Sequence, residues 1–300
     1  MVATSEEMKW GITGGSGQLA QSLVDLLSKE GIQYVAWDHS EVDIGDPSSI
    51  EKISGCQPSV LINCAAWTDV DGAEDFFEDA LKVNQVGTQN VAIAARELNI
   101  PLIHISSDYV FSGTKSQPWN INDVAEPTSK YGVSKLLSER KIQEIWPDKS
   151  LIFRTAWLYS PYKRNFAKTM IHKALASKQA VSVVNDQTGQ PTNAHDLAAQ
   201  ILSSVKDQIP SGIYHATNSG QATWWDFACR LFQLCGESTD RVKPVMSQDF
   251  PSRVKRPTYS VLDHSEWSKV GIEEMRDWKA ALNESFPEIR NVVERELSLG

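Results

Sequence analysis

Three residues in the first half of the chain have the types and spacing of a proton-transfer centre. Tyr131 and Lys135 are four positions apart, so on a helix they share one face. An ammonium beside a phenol lowers the tyrosine pKa from about 10 and lets the phenol protonate a developing alkoxide. Ser107 lies 24 residues before Tyr131, at the end of a predicted strand. We therefore interpret these three as candidate catalytic residues, although Tyr and Lys at this spacing also occur on ordinary helices.

A second group of residues has the pattern of a phosphate-binding turn. Gly14 and Gly17 follow a predicted strand and open a helix, and Ala20 takes the third position of the pattern. Glycine allows the tight turn and the close approach of backbone N–H groups to a pyrophosphate at the helix N-terminus. Asp38 follows Gly17 by 21 residues, where a carboxylate commonly binds ribose hydroxyls. These residues predict dinucleotide binding, and an ordinary strand-to-helix turn is the alternative.

The elements that must position these residues alternate between strand and helix. Predicted strands cover 9–13, 32–37, 60–64, 101–106 and 150–155, and predicted helices begin at Leu19 and cover 73–98 and 129–146. Such alternation predicts an α/β protein with a Rossmann-type, doubly wound parallel sheet. His104 lies on one of the apolar strands, so we interpret it as a core residue.

The second half of the chain predicts a smaller C-terminal substrate-binding domain. Its predicted helices cover 165–177, 194–205, 225–235 and 275–297, and its strands are short, at 180–184 and 212–216. We expect a dinucleotide-binding Rossmann domain over 1–156 and a mainly substrate-binding domain over 157–300. Segments near 180–215 and 255–263 are expected to return to the Rossmann domain.

The composition excludes several classes of protein. With 41% hydrophobic residues, 29 basic and 38 acidic residues, the chain is globular with a net charge of −9. No run of basic residues exceeds two, so nucleic acid is not an expected partner. No apolar stretch approaches the ~20 residues that cross a bilayer, so no membrane span is expected. Four cysteines without a C-x-x-C pair, and an acidic segment Met1–Met8 unlike an export signal, favour a cytoplasmic protein.

Longer motifs resemble the dTDP-4-dehydrorhamnose reductase family of the extended short-chain dehydrogenase/reductase superfamily. In chain order they are GGSGQL from Gly14, NCAAWTDVD from Asn63, SSDYVF from Ser106, YGVSK from Tyr131, RTAWLY from Arg154, NFAKTM from Asn165, DQTGQPT from Asp186, and Arg256-Pro257. The resemblance covers nearly the whole chain. It implies that a nicotinamide cofactor reduces the C4 ketone of a nucleotide-linked 6-deoxy sugar, foremost dTDP-4-dehydro-L-rhamnose to dTDP-L-rhamnose.

The same resemblance assigns further site residues. The implied cofactor-binding residues are Gly14, Ser16, Gly17, Gln18, Leu19, Asp38, His39, Asn63, Ala65, Ala66, Asn84, Tyr131 and Lys135. The implied substrate-binding residues are Thr68, Val70, Ser107, Asp108, Trp157, Asn165 and Arg256. The cofactor is expected to be NADPH or NADH, because Asp38 favours a free 2′-hydroxyl whereas the family favours NADPH or dual use.

Departures from the family pattern bear on two expectations. Ser107 stands where the family usually has Thr, and either side chain supplies a hydroxyl. Some family members hold a divalent metal through glutamates at a dimer interface, but this chain has Ser22, Pro191 and Thr192 in those regions, so no metal is expected. A monomer or a homodimer is compatible with the sequence.

Three alternative functions remain open at this stage. A sugar-nucleotide 4,6-dehydratase typically has Asp-Glu directly after the hydroxyl residue, but here Asp108 is followed by Tyr109. A sugar-nucleotide epimerase is disfavoured in the same way. A non-catalytic NADP-binding subunit, like the regulatory subunit of methionine adenosyltransferase, is the alternative of a different class, and the intact Ser107, Tyr131 and Lys135 argue against it.

Overall fold

A computed structural model of the chain describes residues 9–249 and 253–299, so the segment Met1–Met8 lies outside the described residues. The strands are β1 (Lys9–Thr13), β2 (Gln33–Trp37), β3 (Val60–Asn63), β4 (Leu102–Ser107), β5 (Ser150–Thr155), β6 (Leu158–Tyr159), β7 (Val181–Val184), β8 (Thr188–Gly189), β9 (Thr192–Asn193), β10 (Gly212–His215), β11 (Ala222–Thr223) and β12 (Val242–Val245). The helices are α1 (Gln18–Lys29), α2 (Ser49–Gly55), α3 (Gly72–Asp75), α4 (Phe77–Leu81), α5 (Thr88–Leu98), α6 (Lys130–Ile145), α7 (Phe166–Ala176), α8 (Ala194–Lys206), α9 (Trp224–Leu234), α10 (Ser265–Lys269) and α11 (Trp278–Leu299).

Six strands form one parallel sheet in the order β10-β5-β4-β3-β1-β2. The chain moves from β1 to β2 at one edge and then crosses back over β1 to β3. In open α/β sheets, ligands bind at the carboxyl ends of the strands where the order reverses, here beside β1 and β3. The predicted α/β fold class with a parallel Rossmann-type sheet is confirmed.

Two hydrophobic cores lie on the two faces of the sheet. Helices α1 and α8 pack together over one face of the sheet around Leu23 and Leu197, and α2 and α5 pack together around Ile53 and Val91. A separate core joins α7, α9 and α11 around buried Phe232. Strand β10 belongs to the six-stranded sheet, whereas β7 pairs with β12. The division into domains at residues 156 and 157 stays a prediction.

The prediction of one continuous helix over 73–98 is wrong. The chain forms α3 and α4, interrupted at Phe76 (φ −119°, ψ 52°), then a π-helix over Lys82–Gly87, and then α5. Within the π-helix, the side chain of Asn84 hydrogen-bonds to both Trp67 and Ser134. These bonds join the π-helix to segments distant in the sequence.

The cysteines and the helices bear on the expectations of a cytoplasmic protein and of no membrane span. Cys56, Cys64, Cys229 and Cys235 carry free thiols. Within residues 9–249 and 253–299, no helix combines the length and the apolar composition that crossing a bilayer requires.

Candidate functional site

A cavity of about 820 Å³ opens along the carboxyl edge of the sheet. Its wall comprises the turn after β1, the segments after β2 and β3, the ends of β4 and β5, the start of α6, and residues beside α7 and α9. The predicted site residues that line it are Gly14, Ser16, Gly17, Gln18, Leu19, His39, Ala65, Ala66, Thr68, Val70, Ser107, Asp108, Tyr131, Lys135, Trp157 and Asn165. Asp38, Asn63, Asn84 and Arg256 were also predicted, and they are not part of this lining.

The turn after β1 has the backbone that a pyrophosphate site requires. Gly14 has φ +68°, and a Cβ there would lie 2.7 Å from the backbone N of Ala65. Gly17 is the N-cap of α1, and neither a side-chain cap nor an acidic residue occupies the first turn of that helix. The positive end of the helix is therefore free to bind an anion at the cavity wall. These residues fit a dinucleotide.

The segment after β2 places His39 at the cavity, as expected, but not Asp38. Asp38 turns its carboxylate back to its own loop, where Oδ1 accepts hydrogen bonds from the Ser40 side chain at 2.7 Å and the Ser40 N–H at 2.8 Å. The Ser40 side-chain bond is the largest of the effects that lower the Asp38 pKa. Asp38 therefore shapes the loop that brings His39 and Asp43 to the cavity. The Asp43 carboxylate, which the sequence reasoning missed, lies five positions after Asp38 in the same loop.

The three candidate catalytic residues lie together in the cavity wall. The Ser107 hydroxyl donates to Asp108 Oδ1 at 3.0 Å, and it lies close enough to the Tyr131 phenol to act on its pKa. Lys135 directs its Nζ to the backbone O of Ile105 at 2.7 Å. Ser107 ends β4, and the other two residues lie on the first two turns of α6.

The pKa of Tyr131 contradicts one expectation from the sequence. Burial raises the Tyr131 pKa above its usual range, and the neighbouring Ser107 hydroxyl opposes this increase. Burial also lowers the Lys135 pKa to about 8, although the Glu139 carboxylate opposes this shift. The expectation that Lys135 lowers the Tyr131 pKa is wrong for this geometry, because the ammonium is bonded to Ile105 and burial dominates. The phenol is held in its protonated, proton-donating form.

Tight packing fixes the start of α6 against the end of β4. Ser129 caps the helix, its Oγ accepting the N–H of Gly132 at 3.1 Å. A Cβ on Gly132 would lie 2.2 Å from the carbonyl O of Tyr109, so only glycine permits this approach. The rings of Tyr109 and Tyr131 meet edge to face at 5.5 Å. This packing sets the position of the Tyr131 ring in the cavity.

Asn63 and Asn84 lie behind the cavity wall. Asn63 accepts the Thr13 hydroxyl at 2.7 Å, and its amide contacts the His104 ring at 3.1 Å. His104 is fully buried, as predicted for a core residue. Asn84 accepts the Trp67 N–H and donates to a serine of α6. Asn84 therefore positions the segment that follows β3, whereas Asn63 ties the end of β3 to the end of β1 and to β4.

Three aromatic residues, Trp157, Phe166 and Trp224, form an aromatic wall at the other end of the cavity. Trp157 and Trp224 stack with ring centroids 3.6 Å apart and planes 10° apart, and Phe166 lies 4.6 Å from Trp224. Only Trp157 was predicted here. The signal for Trp224 was weak, because ten tryptophans occur in the chain and most of them serve packing.

A loop between β6 and α7 joins the aromatic wall to the turn after β1. Gln18 Oε1 accepts hydrogen bonds from the Ser160 hydroxyl and the Asn165 amide, both at 2.9 Å. Asn165 also caps α7 through its Oδ1. Between these anchors, Lys163 and Arg164 bring two cations to the cavity that the sequence reasoning did not predict.

Arg256 lies beside the cavity wall. Its Nη2 donates to Asp71 Oδ2 at 2.6 Å, and its positive charge acts to lower the pKa of Tyr109, a residue of the lining. Within the part of the chain that the structure describes, no group of three or more His, Cys, Asp or Glu residues is arranged to hold a metal ion.

Comparisons with known proteins agree with this geometry. The profile of a family described as "RmlD substrate binding domain" matches residues 8–291. A dTDP-4-dehydrorhamnose reductase of Streptomyces griseus is 40% identical over 284 residues, which are 93% of this chain and 93% of the relative. A dTDP-4-keto-6-deoxy-D-glucose reductase of Streptomyces niveus is 38% identical over 93% of this chain and 96% of the relative.

Solved structures show the same likeness in three dimensions. The crystal structure of dTDP-4-dehydrorhamnose reductase from Bacillus anthracis, in complex with NADP, matches with a TM-score of 0.90 at 33% identity. The match covers 94% of this chain and 99% of that chain. A dTDP-4-dehydrorhamnose reductase from Clostridium acetobutylicum matches with a TM-score of 0.89 at 36% identity, over 93% of this chain and 99% of that chain.

Proposed function

Because this chain belongs to the RmlD substrate-binding-domain family, we propose that it reduces the C4 ketone of a dTDP-linked 6-deoxy sugar, foremost dTDP-4-dehydro-L-rhamnose. The observation that carries the proposal is the meeting of Ser107, Tyr131 and Lys135 in one cavity with the glycine turn after β1. The turn supports binding of a dinucleotide, and the three side chains support proton delivery to an oxygen beside it.

Each side chain has a distinct role in this proposal. The turn from Gly14 to Leu19 holds the pyrophosphate, and the loop with His39 and Asp43 borders the adenosine. A bound reduced nicotinamide supplies the hydride that C4 receives. Ser107 turns its hydroxyl from Asp108 Oδ1 to the ketone oxygen and donates a hydrogen bond that favours the charge developing there.

Tyr131 delivers the proton that completes the alcohol. Its raised pKa keeps the phenol protonated at neutral pH, so the proton is available when the alkoxide forms. The resulting phenolate is half-buried, and Lys135 on the same face of α6 offsets its charge by turning its ammonium from the Ile105 O toward the phenolate. Lys135 with a pKa of about 8 is itself ready to return a proton.

The identity of the sugar is the question for assay, because relatives are named for different sugar substrates. We expect the full chain to oxidise NADPH and NADH when it is given dTDP-4-keto-6-deoxy sugars, with slower turnover for the UDP-linked counterpart. The kcat/KM values for the two cofactors should differ by less than about 100-fold, because no cation follows Asp38 before Lys52 to select a 2′-phosphate. Absorbance of the nicotinamide provides the measurement.

The assay also separates the rival function of a non-catalytic subunit. Binding of NADPH without turnover of any keto sugar nucleotide would contradict the proposed reduction and favour a regulatory role. Release of water from a hexose nucleotide that still has its 4- and 6-hydroxyls, with no net change in the cofactor, would favour a dehydratase instead.

A further inference from the structure

Trp157 has a backbone conformation that bulky residues rarely adopt. Its φ is +45°, in the left-handed region, and its carbonyl O accepts the Thr192 N–H at 3.1 Å. Such conformations are strained, and they persist where the surroundings hold them, commonly at functional sites. Thr155 at the end of β5 pairs with Ser107 of β4, so the Trp157 backbone is two residues beyond the level of the catalytic serine.

Gly189 lies directly against the Trp157 ring. A Cβ on Gly189 would be 2.6 Å from Cε2 and 2.7 Å from Cζ2 of the indole, closer than atoms of this kind approach. Gly189 is in β8, opposite Ala222 of β11, and its φ is outside the left-handed region. Its backbone therefore suits alanine, and the indole ring is the obstacle to a side chain.

The indole has little room to move away from position 189. Trp224 lies parallel to it at 3.6 Å, and Phe166 packs against Trp224 at 4.6 Å and against buried Phe227 at 5.5 Å. Displacement of Trp157 therefore disturbs the whole aromatic wall, which borders the cavity.

We propose that Gly189 is a positioning residue that sets the fit of the sugar nucleotide by seating the Trp157 ring. Gly189 is buried and is not among the residues that line the cavity, so its effect passes through the indole. The flat apolar face of an indole packs against the C–H groups of a deoxy sugar. The inference rests on the proposed function, because it names a determinant of substrate fit for that same site.

The first test is Gly189→Ala in the full chain. We expect KM for the keto sugar nucleotide to rise tenfold or more, kcat to fall by less than that factor, and Kd for NADPH to stay within twofold. Gly55→Ala is the matched control, because a Cβ there meets no atom within 4 Å at the exposed end of α2. An unchanged KM in Gly189→Ala, with normal turnover by the wild type, overturns this inference alone.

The second test measures whether the two residues act through each other. In a Trp157→Leu background, adding Gly189→Ala should change KM by less than twofold, because the obstructing ring is gone. An equal rise of KM in both backgrounds overturns the proposal. If Gly189→Ala does not fold, a folded double variant with the KM of Trp157→Leu supports it, and a double variant that also fails to fold overturns it. Absence of turnover by the wild type contradicts the proposed function instead.

Discussion

At the scale of single residues, the Tyr131 phenol is the group whose removal should most specifically lower kcat. Tyr131→Phe keeps the ring against Tyr109 and removes the proton, so we expect kcat to fall by about 100-fold or more. Kd for NADPH should change by less than about threefold, as measured by fluorescence titration. Tyr34→Phe is the matched control, because its hydroxyl contacts only Ser28 among the described residues. Near-normal turnover by Tyr131→Phe would contradict the assigned role.

Asp108 gives the site a pH-dependent contribution to stability. Burial raises its pKa to about 6, and hydrogen bonds from Ser260 and Ser107 oppose the shift only in part. Because the folded pKa exceeds the unfolded value near 3.9, this carboxyl stabilises the fold below about pH 4. That stabilisation is lost as the pH rises through about 6.

Asp108→Asn removes this dependence. We expect the Tm of the variant, relative to the wild type, to be higher at pH 8 than at pH 4.5, equivalent to at most about 3 kcal/mol. Differential scanning calorimetry at several pH values measures it, with Asp148→Asn on the surface as the control. A difference in Tm that does not vary with pH would show that Asp108 titrates as an ordinary carboxyl.

Residue types were easier to predict than side-chain directions. Spacing predicted that Ser107, Tyr131 and Lys135 lie together, because strand end and helix face follow from the local sequence, and all three line one cavity. Their catalytic role stays a prediction. The ammonium of Lys135 instead donates to Ile105, a choice that depends on how closely β4 and α6 pack. Asp38 likewise bonds within its own loop, since Ser40 offers two donors only two residues along the chain.

At the scale of elements, the π-helix over Lys82–Gly87 holds the wall of the cavity in place. Asn84→Ala should leave the Trp67 N–H and the Ser134 hydroxyl without this partner, at a cost of about 1–3 kcal/mol in the free energy of unfolding. The freed segment after β3 should also raise KM for the sugar nucleotide. Urea unfolding and steady-state kinetics measure the two effects.

Val86→Ala provides the control within the same π-helix. Its side chain is 40% exposed, so truncation should change the free energy of unfolding by less than about 0.5 kcal/mol. Equal effects of the two substitutions would show that the π-helix, and not the Asn84 amide, determines stability there.

The interruption of the helix predicted over 73–98 has a physical reason outside that segment. Asn84 bonds to a residue 17 positions earlier and to another 50 positions later. Hydrophobic periodicity reports only neighbours three and four positions away, so it cannot detect an inserted residue that such distant bonds support. The two-residue strands β8 and β11 escaped prediction for the same reason, since they pair residues 188–189 with residues 222–223.

At the scale of the whole molecule, the cavity joins parts of the chain that have separate hydrophobic cores. Its lining extends from the turn after β1 to Trp224 on α9. The alternation of strands and helices sufficed to predict the sheet, and the comparisons confirm the family and the reductase class. The relative from Bacillus anthracis was solved in complex with NADP. The placement of Trp224 depends on contacts between the cores, which local patterns do not report.

Ligands that fill this cavity should stabilise the entire fold. We expect NADP⁺ at 100 times its Kd to stabilise the protein by about 2.7 kcal/mol, with a further rise in Tm when dTDP is added. Differential scanning fluorimetry measures both, and sodium pyrophosphate at the same concentration controls for general anion binding. A Tm that responds equally to pyrophosphate and to NADP⁺ would contradict a dinucleotide site.

The Gln18 side chain links the two halves of this cavity. This link affects how the cofactor and sugar preferences of the protein can change over evolution. Gln18 belongs to the glycine-rich turn, yet its single amide oxygen accepts from both Ser160 and Asn165, which anchor the loop beside the aromatic wall. A substitution at Gln18 selected for a new cofactor would release that loop as well. Cofactor preference and sugar preference are therefore not independently evolvable in this chain, and a lineage that changes one should carry compensating changes in the other.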